Sequence, residues 1–101
     1  MITLSLKADK KTKNLSGLTL GKKFREKLEL DKYDETEERV FIDISTKIFS
    51  MNYQFFMGLF ADSIKKLGTR KFISKYQFIT GINLKTKISQ FIEQAEIDLI
   101  K

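Results

Sequence analysis

Arg39-Val40-Phe41-Ile42-Asp43-Ile44 is the stretch that decides the fold. Its β-branched and aromatic residues run together with one charged interruption, the composition of a strand covered on both faces. Residues 39–44 are therefore read as the central strand of a sheet. Working outward, Ile2-Thr3-Leu4-Ser5-Leu6 alternates apolar and polar with period two, which predicts a half-buried strand. Between these two, Leu20, Phe24 and Leu28 fall on one helical face, and a first helix is expected from Leu20 through Leu30. The pattern leaves an extra short strand near Leu15 open.

Beyond the central strand, Tyr53, Phe56, Met57, Phe60, Ile64 and Leu67 keep helical spacing, Asn52 is a plausible N-cap, and Gly68 suits a left-handed terminus. Phe55 and Leu59 widen that apolar stripe, so the first half of this helix is either deeply buried or partly at an interface. Phe72 to Ile79 reads as a third strand. Asn83 can cap a last helix whose apolar positions 84, 88, 91, 92, 95 and 99 fit a 3.6-residue period. Strands alternating with helices predict an α/β fold with some parallel pairs and right-handed crossovers. Phe41, Ile42, Phe60, Ile88 and Phe91 are the expected core.

With 101 residues, 42% hydrophobic and 32% charged, the chain fits one globular domain. It has no Cys and no His, which excludes a thiol nucleophile, a histidine base, Cys/His zinc sites and disulfides. The start has no apolar core of a leader, and no run approaches the ~18 apolar residues of a membrane span, so a soluble, cytoplasmic protein is expected. The net charge of +6 is segregated, with basic ends and an acidic middle. The blocks Lys7–Lys13 and Asp34–Glu38 look like exposed connections. A basic chain also invites a nucleic-acid reading, in which Lys10, Lys11, Lys13, Lys22 and Lys23 would contact phosphates.

Little else carries chemistry. Gly17-x-x-x-Gly21-Lys22 is one residue short of a phosphate loop and has Lys23 where Ser or Thr should stand. Asp34, Glu35, Glu37 and Glu38 lack the alternation of a calcium loop, and no metal or cofactor is expected. Asp43, between two isoleucines, needs hydrogen-bond partners if it is buried. Ser45-Thr46-Lys47-Ile48-Phe49-Ser50-Met51-Asn52 supplies hydroxyls ahead of a helix N-terminus, which suits capping and would also stabilise a phosphate on Ser50.

Four stretches in order, SGLTLGKKFREKL from Ser16, Val40–Ser45, Ile64–Gly68 with Lys71-Phe72, and Tyr76–Phe78 leading to Asn83-Leu84-Lys85, give the chain a resemblance to the STAS-like domains of unknown function. These are bacterial and phage relatives of anti-sigma-factor antagonists. The resemblance implies a single domain over 1–101, with a small mixed β-sheet packed with about three helices. It implies no enzymatic activity and a regulatory role, binding a protein partner such as a histidine-kinase-like ATPase. Partner-binding residues would be Ser45, Thr46, Ser50, Met51, Asn52 and Tyr53, with Ser50 a candidate phosphorylation site. The chain reads Asn52-Tyr53-Gln54-Phe55 where relatives carry a Ser-Phe-Ala-Asp-like helix start. Arg25 would anchor the first helix. The other readings are a small basic nucleic-acid-binding protein and a phage or mobile-element inhibitor of a host protein.

Overall fold

A computed structural model describes residues 2–6, 14–44, 48 and 50–100. Three strands, β1 (Ile2–Leu6), β3 (Val40–Ile44) and β5 (Tyr76–Ile79), form a sheet in the order β1-β3-β5, so residues 39–44 do supply the central strand. Two further two-residue strands, β2 (Asn14–Leu15) and β4 (Ser50–Met51), pair with each other. The short strand near Leu15 therefore exists. Between strands run α1 (Leu18–Lys27), α2 (Leu30–Asp34), α3 (Tyr53–Lys75) and, last, α4 (Ile82–Leu99). This is the expected α/β architecture. All three described pairings are parallel, where a mixed sheet was expected, because each connection crosses back over a helix.

Alternation along the strands sorts the sheet into two faces. Val40, Ile42 and Ile44 are buried with Leu6 and Tyr76, whereas Asp43 is exposed and Phe41 only partly covered. The central strand is thus covered on one face, not two, and Asp43 needs no buried partner. Stepping from β1 to β3 to β5 in one direction with right-handed crossovers puts the intervening helices on the same side. The core forms there. Phe60, fully buried, has ring centroids 5.2–5.5 Å from Phe56, Phe72, Tyr76 and Phe78. Ile88 of α4 is buried with them, and Phe91 is partly covered.

Three boundaries differ from expectation. The first helix stops at Lys27, Glu29 adopts a left-handed conformation (φ 57°), and α2 begins at Leu30. At Gly68 the φ is indeed positive, but with ψ 159° the chain kinks and then resumes a helix to Lys75. Phe72 consequently reaches the core from a helix and the third strand starts only at Tyr76. The last helix is preceded by Gly81 as N-cap, with Asn83 inside its first turn.

Candidate functional site

The β2–β4 ribbon sets the starts of α1 and α3 side by side. Leu15 and Met51 are buried and register with each other, so their neighbours Asn14 and Ser50 point outward. The Asn52 backbone N–H donates to the Leu15 carbonyl (3.0 Å). Its side-chain Oδ1 caps α3 by accepting from the Phe55 N–H (2.9 Å), and also accepts from the Gly17 N–H (3.2 Å) at the head of α1. One amide oxygen thereby ties two helix starts together. The Ser50 hydroxyl donates to Asn14 Oδ1. An amide oxygen is too weak a base to activate the Ser50 hydroxyl as a nucleophile.

Tyr53 is half-buried, its ring 5.7 Å from Phe91 and its hydroxyl donating to Asp98 Oδ2 (2.7 Å). Burial and that carboxylate push the phenol well above its ordinary pKa. Of the expected partner-binding residues, Ser50 and Asn52 are exposed and Tyr53 is partly so. Met51 is a correction to an exposed contact: alternation in β4 turns it into the core. Ser45, Thr46, Lys10, Lys11 and Lys13 lie outside the described residues. Lys22 and Lys23 are exposed on α1. Gly21, far from a phosphate loop, sits against Gly58 of α3. A Cβ on Gly21 would stand 2.3 Å from the Phe55 carbonyl oxygen, and one on Gly58 would stand 2.3 Å from that of Leu18.

The residue expected to anchor the first helix, Arg25, heads a second polar centre, whose partners escaped the sequence reading. Arg25, on the inner side of α1, donates through Nη1 to the Leu59 carbonyl (2.9 Å) and Ser63 Oγ (2.8 Å). Its Nη2 reaches Asp34 Oδ2 (2.5 Å) and Asp31 Oδ1 (2.7 Å). The Asp34 side chain is fully buried and also accepts from Ser63 Oγ (2.7 Å) and the Tyr76 hydroxyl (2.6 Å). Asp34 is thus no part of an exposed loop. Burial opposes the Arg25 charge, but the hydrogen bonds it donates to Asp31 and Asp34, together with their charges, outweigh this and raise its pKa. Burial and then the Asp34 hydrogen bond raise that of Tyr76, and the hydrogen bond from Arg25 lowers that of Asp31. The signal was present in two polar residues at inward helical positions: Arg25 one turn after Gly21, and Ser63 between Phe60 and Ile64.

Beside this centre, a groove of about 500 Å³ runs between the 34–39 turn and the end of α3. Lys75 closes its floor by donating to the carbonyls of Thr36 (2.6 Å) and Glu38 (2.7 Å). No group of carboxylates suited to a metal ion occurs among the described residues. No described helix is long and apolar enough to cross a membrane. Comparison with family models, with curated proteins and with solved structures gave no match.

Proposed function

We propose that the chain is a non-catalytic regulatory module of the STAS-like kind, working in the cytoplasm. It binds a protein partner, such as a histidine-kinase-like ATPase, through the surface of Asn14, Ser50, Asn52 and Tyr53, and through Ser45 and Thr46. The observation that carries this reading is the β2–β4 ribbon, where buried Leu15 and Met51 turn Asn14 and Ser50 outward as a hydrogen-bonded amide and hydroxyl beside Asn52. A rigid polar rim beside a half-covered tyrosine suits recognition, because its groups lose little freedom on binding. The Arg25 centre supports the same division: its donors and carboxylates are spent on one another.

The test is calorimetric titration of purified histidine-kinase-like ATPases from the source cell against the wild-type chain and a Ser50→Arg, Asn14→Arg variant shown by circular dichroism to fold. The reading expects saturable binding that the variant weakens at least about tenfold, as loss of central contacts does. No binding, or equal binding by both chains, contradicts it. A mobility shift with DNA or RNA that fades steeply with salt would establish the nucleic-acid reading in its place.

A further inference from the structure

We infer that the open face of the sheet is the contact surface of a two-fold homodimer. Parallel sheets occur almost only with both faces covered. Here the helices take one side, and the other presents the rows Thr3–Phe41–Gln77 and Ser5–Asp43–Ile79. Among the described residues, Phe41 and Ile79 stay outside the core cluster, and Ile79 is 47% exposed. Arg39 continues the pattern. Its carbonyl accepts from the Ile2 N–H (3.1 Å), so it already runs in extended pairing, and alternation puts its side chain on the same face as Phe41.

The middle of this face is therefore a line of cation, aromatic ring and anion: Arg39, Phe41, Asp43. Arg39 and Asp43 are both exposed, and neither has an ion pair with another described residue. Such a line is complementary to itself when reversed. A two-fold axis through Phe41, perpendicular to the strand and midway between two stacked sheets, lays Phe41 on Phe41 of the second copy. It also lays each Arg39 on the other copy's Asp43, as an isologous contact requires. The alternative stacking, with strands running the same way, sets Arg39 on Arg39 and Asp43 on Asp43. Charge thus selects one orientation and penalises the other.

Sedimentation velocity of the full chain over a micromolar-to-millimolar range tests this directly. The wild type should dimerise. Arg39→Asp and Asp43→Arg should each weaken the dimer about tenfold or more, since each makes both crossing contacts like-charged. An equimolar mixture of the two variants should regain wild-type association, because both contacts are then opposite in sign. A wild type monomeric throughout, single variants that associate like wild type, or a mixture no tighter than its components would overturn the proposal. Should either variant fail to fold, Thr3→Cys in this cysteine-free chain supplies a second reading. Thr3 lies on the row the axis follows, and a bifunctional maleimide spanning about 10 Å, the spacing of stacked sheets, should link two copies. Monomer alone after that treatment overturns it equally.

Discussion

Helix α3 has two working sides, and they are built from different chemistry. Toward the sheet and α4 it presents Phe56, Phe60 and Phe72, which interlock with Tyr76, Phe78 and Phe91 at centroid distances of 5.4–5.6 Å. Toward α1 it presents Gly58, which lets the two backbones touch, and Ser63, which joins the buried Arg25–Asp34 pair. The aromatic side gains stability in proportion to apolar area and depends on no single contact geometry. The α1 side depends on position: a methyl group at Gly21 or an orphaned charge at Asp34 has nowhere to go.

The largest effect should come from removing half of the buried pair. Asp34→Ala leaves the buried Arg25 guanidinium only one carboxylate, the exposed Asp31, at hydrogen-bond distance, strips Ser63 and Tyr76 of their acceptor, and should cost about 3–5 kcal/mol, enough to unfold most domains of this size. Urea denaturation measures it, and a loss under ~1 kcal/mol would show that water reaches the site. Phe60→Ala, on the aromatic side, should cost about 3–5 kcal/mol through lost contacts and a cavity. Unlike the Asp34 variant, it should be partly relieved by Phe60→Leu or Phe60→Met, which refill the space.

This contrast also explains what could be read in the sequence. Apolar periodicity signals β1, α4 and the first half of α3, β-branched and aromatic composition signals β3, and the Asn52 cap is visible as a residue type just before a helical pattern. Periodicity carries no information about groups whose partner is far along the chain. Asp34 looks like one acid in a solvated run until Arg25, nine residues earlier, and Ser63, twenty-nine later, close around it. Gly21 looks like an ordinary position of the first helix until Gly58 faces it. Phe72 and Ile73 look like the start of a strand, but the kink at Gly68 restarts the helix in a phase that buries Phe72 and exposes Ile73. On the candidate surface, the outward hydroxyls were legible; the inward turn of Met51 was set by its pairing with Leu15.

Smaller effects sharpen the comparison further. Gly21→Ala should cost about 1–3 kcal/mol despite the higher helix propensity of Ala, because the helices must move apart. An Ala variant as stable as wild type would mean that α1 slides freely on α3. Alkaline titration gives a gentler probe of the polar side. The folded state holds the Tyr76 proton more tightly than the unfolded chain does, so its contribution is complete below about pH 10 and falls as pH rises beyond that. Tyr76→Phe should flatten the decline in melting temperature above pH 10. An unchanged slope would place the sensitivity elsewhere.

The most direct measurement is a double-mutant cycle on the buried pair, using Arg25→Met, Asp34→Leu and both together, read by urea unfolding and by partner binding. If the pair is structural, each single change is severe and the double recovers much of the loss, with a coupling energy of about 2 kcal/mol or more, since an apolar pair leaves no charge unmatched. The folded double variant then keeps its affinity for the partner. Additive losses in stability, or a stable double variant that no longer binds, would contradict the assignment of Arg25 and Asp34 to holding the fold and of the β2–β4 surface to recognition.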